Sequence, residues 1–256
     1  MSAPPPNSDP GARQSALSGS GASILQIAAA ELLERIKYFA LEPAWVLLLG
    51  SASHETAQGL ISHVPHADLV TFDGSAAASR RAARGWWPRR QSRHPVSAQV
   101  TALPLKAQTA DLACINLLLP ACPRPDQVLR EVARVMRPGA LLQLSSLGPR
   151  SLPELAAPCD HYPDLPQLGD LLLGSGFTEP VMDIEHHQIR YASGTALAQE
   201  LRRLSLDHAI TDPHAHTLTY ELIVATAFAA STGGSRADRT PGEVAIPLSS
   251  LRRRKS

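Results

Sequence analysis

Ala44-Trp45-Val46-Leu47-Leu48-Leu49-Gly50-Ser51-Ala52-Ser53-His54-Glu55-Thr56 decides how the rest of this chain is read. Its apolar run is too short for a globular helix, breaks at Gly50 and resumes with helix-opening residues. The pattern is a buried strand over Trp45–Leu49, a tight turn, and a helix over about 53–63 with Ser53 as its N-cap. In an α/β protein such a turn sets backbone N–H groups and the positive end of a helix dipole above the sheet. A nucleotide-like cofactor would sit there.

Upstream, Leu25, Ala28, Ala29, Leu32, Ile36 and Phe39 recur at helical spacing over 22–40, and Pro43 closes that segment. Downstream, a second strand over Asp68–Phe72 ends at Asp73. Asp73 lies near the ~20-residue spacing at which an acid binds ribose hydroxyls in dinucleotide-type βαβ units. A helix is expected from about Ser75 to Arg84, a loop over 85–95 and a short third strand over Val96–Val100. Asp111–Leu118 reads as a fully buried fourth strand. Pro125-Asp126 opens a helix with Val128, Leu129, Val132, Val135 and Met136 as its stripe, and Pro138-Gly139 is expected to end it. A fifth strand over Ala140–Ser145 follows, then a short helix over Leu168–Leu173. Last come a strand over Val181–Ile189, a helix of about 195–205 capped by Ser193, and a strand over Thr219–Phe228. This alternation predicts an α/β protein with an open, mostly parallel, doubly wound (Rossmann-like) sheet of about seven strands.

The composition bounds the rest. Residues 1–21 are Pro/Ser/Gly-rich and read as a disordered arm; 22–228 form the domain; 229–256 read as a Ser/Gly/Arg-rich tail. Cys114, Cys122 and Cys159 show no paired spacing and are read as reduced thiols. No apolar run approaches the ~20 residues of a membrane span, and no signal peptide is visible, so a cytoplasmic protein is expected. The net charge of +1 weakens a nucleic-acid role. Arg80, Arg81, Arg84, Arg89, Arg90 and Arg93 flank Trp86-Trp87; they form either a solvated helix end and loop or a docking patch for an acidic carrier protein.

The alternation, the acid closing strand two and Arg130-Glu131-Val132-Ala133-Arg134-Val135-Met136-Arg137-Pro138-Gly139 resemble class I S-adenosylmethionine-dependent methyltransferases. That resemblance implies a last strand antiparallel to the rest, inserted beside the fifth. A narrower likeness is to malonyl-acyl-carrier-protein O-methyltransferases of biotin synthesis. It rests on Leu25-Gln26 with Leu32-Leu33-Glu34-Arg35-Ile36, on Ala102-Leu103-Pro104-Leu105, and on Leu147-Gly148-Pro149 with Ser151-Leu152-Pro153-Glu154-Leu155. Asp170 through Phe177, Pro180-Val181-Met182-Asp183-Ile184-Glu185-His186 and Leu218-Thr219-Tyr220-Glu221 complete it.

The likeness implies S-adenosylmethionine as cofactor and Gly50, Ser51, Ser53, Asp73, Gln99 and Asn116 as residues around it. Each also has a plain structural role open to it: Gly50 as a tight turn, Asp73 as a helix cap, Asn116 as a satisfied polar residue at a strand end. Where the family's loop reads D-L-G-C-G-T-G, this chain has Leu48, Leu49, Gly50, Ser51, Ala52, Ser53 and His54. The acid facing the cofactor's amino group is thus Leu48, and two glycines are Ala52 and His54, where a β-carbon obstructs close approach. The adenine-contacting acid falls on Gln99, a family histidine falls on Thr226, and Leu206–Thr217 leaves little room for a substrate lid. Two functions stay open: methyl transfer to the carboxylate of a carrier-bound malonyl thioester, or a methyltransferase-fold module that no longer uses the cofactor and binds a carrier or partner enzyme. His186-His187 with Glu185 suggest no metal, because neighbouring strand residues point to opposite faces.

Overall fold

A computed structural model describes residues 13–14, 23–50, 53–72, 93–155, 162–206 and 217–231. Eight strands form one sheet in the order β1-β7-β8-β6-β5-β2-β3-β4. They are β1 (Arg13–Gln14), β2 (Trp45–Leu49), β3 (Asp68–Phe72), β4 (Arg93–Val96), β5 (Ala110–Asn116), β6 (Met136–Leu147), β7 (Phe177–Arg190) and β8 (Thr217–Ala229). The helices are α1 (Ile24–Ile36), α2 (Ser53–His63), α3 (Pro125–Val135), α4 (Leu165–Gly174) and α5 (Gly194–Arg203), with a 3₁₀ turn at Leu119–Ala121. β2 to β6 pair in parallel, and β8 runs antiparallel between β6 and β7. The expected doubly wound sheet with its last strand reversed is present.

Strand alternation sorts the core. Val46, Leu48, Leu112, Cys114 and Leu141 pack with Ile36 of α1 and Ala57 and Leu60 of α2. Leu47, Leu49, Ala113, Ile115, Leu142 and Leu144 pack with Val128, Leu129, Val132 and Val135 of α3 and Leu168 and Leu172 of α4 on the opposite face. Burial on both faces is what lets β2 be continuously apolar. A third cluster lies around the ends of β6 and β7 and the first half of β8. There Ile24, Leu25 and Leu32 of α1 meet Leu197 and Leu201 of α5 and Leu152, Leu155 and Tyr162.

The central elements fall where the pattern puts them; the margins shift. The third strand is Arg93–Val96, not Val96–Val100, because its partners on β3 are Leu69–Phe72 and a strand at the sheet edge tolerates Pro95. α3 stops at Val135, not at Pro138-Gly139: Met136 is already extended, and Gly139 takes φ +76° within β6. The fourth strand ends at Asn116, since Leu117 turns to φ +47°. α4 begins earlier than Leu168 because Asp164 and Gln167 form a capping box before it. β7 starts at Phe177 and absorbs a register shift between Thr178 and Val181, with Glu179 at φ +52°. Arg13–Gln14, within the arm expected to be disordered, pairs with Glu185 and His186 of β7. The helix expected from Ser75 to Arg84 lies outside the described residues.

Candidate functional site

The strand ends of β2 and β5 meet at Gly50 and Asn116. Gly50 has φ +122°, and a β-carbon there would overlap the carbonyl oxygen of Asn116. Glycine is therefore required twice at this turn, once by its dihedral and once by the approach of β5. Leu49 pairs with Phe72, the residue that precedes Asp73. Ser51, Asp73 and Arg80–Arg90 lie outside the described residues, as do the side chains of Ser53, the first residue of α2, and Arg93, the first of β4.

Asn116 sits at the strand end as expected, but fully buried. Its Nδ2 donates to the Leu25 carbonyl at 3.1 Å and to Thr56 Oγ1 at 3.0 Å, while Ser145 Oγ donates to its Oδ1 at 2.8 Å. Both amide donors are thus used inside the protein, tying α1, α2, β5 and β6 together. Thr56 and Ser145 escape a motif reading; the one available sign is the polar pair Ser145-Ser146 near the end of a strand whose only other polar residue after Gly139 is Gln143. Gln99 is exposed in the turn after β4, and its carbonyl accepts the Ala102 amide at 3.0 Å. Leu48 is wholly buried among Ile36, Ala57, Leu60 and Cys114, so its position offers an apolar contact and no charge.

The stretch Ala102–Leu105 is clamped onto α3. Glu131 Oε1 accepts the Leu103 amide at 2.7 Å, and Arg134 Nη2 donates to the carbonyls of Leu103 and Leu105 at 3.2 and 2.9 Å. Hydrogen bonds from Arg134 hold the Glu131 carboxyl below its ordinary range, and the same bonds raise Arg134.

Residues 47–144, which span this crevice from β2 to β6, match the methyltransferase domain model. A malonyl-[acyl-carrier protein] O-methyltransferase of Gallionella capsiferriformans is 31% identical over 68% of this chain and 64% of its own length. The chain thus spans somewhat less than two thirds of that relative. The enzyme of the same name from Halorhodospira halophila is 28% identical over 88% of this chain and 87% of its own. The crystal structure of a SAM-dependent methyltransferase from Aquifex aeolicus superposes with TM-score 0.52 at 13% identity, over 78% of this chain and 90% of that one. This chain has the fold of these methyltransferases.

Within that fold, Gly50 forms the turn after β2, and position 48, where the resemblance puts an acid, is a leucine. Thr226 lies well inside β8, its Oγ1 donating to Gln143 Oε1 at 3.1 Å. α5 is fastened to the first helix of the methyltransferase fold: Glu200 Oε1 accepts from Ser23 Oγ at 2.6 Å and from the Ile24 amide at 2.8 Å. Beneath it the hydroxyls of Tyr191 and Tyr220 pair at 2.7 Å, and burial pushes Tyr191 up.

On β7, His186 and His187 do face opposite sides: His186 lies 3.7 Å from Glu221 Oε1, His187 3.2 Å from Glu185 Oε2. Among the described residues no group of three or more His, Cys, Asp or Glu is placed to hold a metal ion. No described helix is long and apolar enough to cross a membrane.

A second concave region lies across the sheet from α5. A groove of about 540 Å³ runs between Pro149-Arg150, Asp164–Pro166 at the start of α4, Met182–Ile184 of β7, and Glu221 and Ile223 of β8. Glu221, 3% exposed at its side chain, accepts the Arg150 amide at 2.8 Å and the Arg150 guanidinium at 2.8 and 2.7 Å. A β-carbon on Gly148 would come within 2.5 Å of Glu221 Oε2, so the glycine makes room for this carboxylate.

Proposed function

We propose that the chain is an S-adenosylmethionine-dependent O-methyltransferase acting on the free carboxylate of a malonyl thioester carried by an acyl carrier protein, in biotin synthesis in the cytoplasm. The observation that supports this most is that the match to the methyltransferase domain begins on β2, runs through the Gly50 turn and ends on β6. The relatives named for this reaction add the substrate class.

The cofactor, when bound, supplies an electrophilic methyl group. The protein's part is to orient and to exclude water. A malonyl carboxylate is ionised at neutral pH, so the nucleophile needs no general base. Alignment in a dry cleft is worth ~7–11 kcal/mol of barrier. In this reading the backbone beyond Gly50, with Ser51 and Ser53, holds the cofactor, Asp73 binds its ribose, and Gln99 borders its adenine. Asn116 acts by fixing the turn, and the Arg80–Arg93 stretch meets the acidic carrier.

A second reading is favoured by Leu48: a chain whose cofactor subsite has filled with apolar side chains serves as a binding module for a carrier or an active partner. Calorimetric titration with S-adenosylmethionine separates the two. Micromolar binding that weakens in Asp73→Ala supports the enzyme; no heat at millimolar cofactor, with carrier binding retained, supports the module.

A further inference from the structure

Three stretches that carry the narrower sequence likeness converge away from the cofactor crevice. Gly148-Pro149, Met182 to His186 and Glu221 meet at the groove between β7, β8 and α4. Nothing in the methyl-transfer site as derived above uses them.

The groove has two unlike ends. Met182, Ile184, Ile223, Leu165 and Pro149 give it apolar walls, and its ~540 Å³ lies within the 300–1,000 Å³ typical of small-ligand sites. At the other end the buried Glu221 takes Nε and Nη2 of Arg150, which fixes the guanidinium plane; among the described residues the Nη1 edge has no partner, in an arginine 62% exposed. The neighbouring acids are already engaged. Asp183 pairs with Arg35 at 2.8 Å, and Asp164 caps α4 through the Gln167 amide at 2.9 Å. An anion at Arg150 therefore meets an oriented donor edge next to an apolar trough. The ligand that fits is amphipathic: an aliphatic chain ending in an anionic group such as a phosphate.

We propose that this groove binds the phosphopantetheine arm of the carrier, with the arm's phosphate on Arg150 and its dimethyl-bearing portion against Met182, Ile184 and Leu165. The assignment rests on the carrier-linked substrate proposed above. It separates from that proposal experimentally, because the arm is tested without cofactor or turnover.

The probe is free 4′-phosphopantetheine, compared with pantetheine lacking the phosphate, titrated into the full chain by ligand-observed NMR. The phosphate is expected to tighten binding about fivefold at low salt, and Arg150→Gln to erase that difference. Because Arg150→Gln leaves Glu221 without its cation, Leu165→Glu serves as the second variant. An acid in the first turn suits the helix dipole of α4 while placing negative charge and a polar wall in the groove. It should weaken both probes and leave S-adenosylmethionine binding unchanged. Equal affinity for the two probes in the unaltered chain, or undiminished affinity in Leu165→Glu, overturns the assignment whatever the cofactor titration gives. Phosphopantetheine binding in a chain that takes up no S-adenosylmethionine would uphold the groove and overturn the enzyme reading.

Discussion

Ser145 Oγ donates to Asn116 Oδ1 at 2.8 Å, side by side on β6 and β5, and the same oxygen accepts the Leu117 amide at 3.0 Å. This pairing makes Asn116 a hub of the fold at the very point where a ligand contact was expected. Asn116→Ala removes the side-chain amide that links the Thr56 and Ser145 hydroxyls and the Leu25 carbonyl in a buried site. The expected loss is about 2–4 kcal/mol of unfolding free energy by urea titration. A stable variant that had lost only cofactor affinity would contradict the structural role.

Restoring an acid at position 48 tests the apolar filling of that subsite. Leu48→Asp places a carboxyl among Ile36, Ala57, Leu60 and Cys114. Stability should fall by about 3 kcal/mol or more, and the loss should shrink at low pH as the acid becomes neutral. Denaturation at two pH values reads both.

The carboxyl of Glu131 is held below its ordinary 4.5 by Arg134. A depressed carboxyl stabilises the fold above its unfolded value, and that contribution is lost as the pH falls through the lower folded value. The chain should therefore lose stability in acid below about pH 4.5 more steeply than Glu131→Gln, as followed by thermal melts across that window.

Glu31 of α1 has the opposite sign. Burial, then the charge of Glu185, raises its carboxyl above 4.5, against the smaller lowering effects of Arg35 and His187. Its contribution is fully present below the unfolded value and is lost as the pH rises through the folded one. Glu31→Gln should raise the melting temperature at pH 7 and bring no gain at pH 4. A gain of equal size at both pH values would show that charge is not the cause.

Glu200 carries the fastening of α5 to α1. Glu200→Ala leaves the Ile24 amide and the Ser23 hydroxyl without this acceptor, at a cost of about 1–2 kcal/mol. Hydrogen exchange should quicken across Gly194–Arg203 and at Ile24 while β5 and β6 stay protected.

The centre of the fold was legible because its signals are local. Trp45–Leu49 and Asp68–Phe72 are short apolar runs bounded by turn residues, and Ser193 announced its helix by type, its Oγ accepting the Ala196 amide. The margins were not, because tertiary contacts decide them: Pro95 is accommodated because its strand lies at the sheet edge beside Thr71, and Pro138-Gly139 lies within a strand rather than ending a helix. At the site, position was readable and role was not. Asn116 stands at the expected strand end, but its partners Leu25, Thr56 and Ser145 come from three separate stretches, which no spacing reveals. The Arg150–Glu221 pair, far apart in sequence, left no local trace beyond Gly148.

Gly50 answers to the carbonyl of its neighbouring strand before it answers to any ligand. Selection on folding alone would preserve it. A lineage released from methyl transfer would shed its loop acids and later glycines first and keep this one, so in any survey of such chains the surviving glycine dates the architecture and not the chemistry.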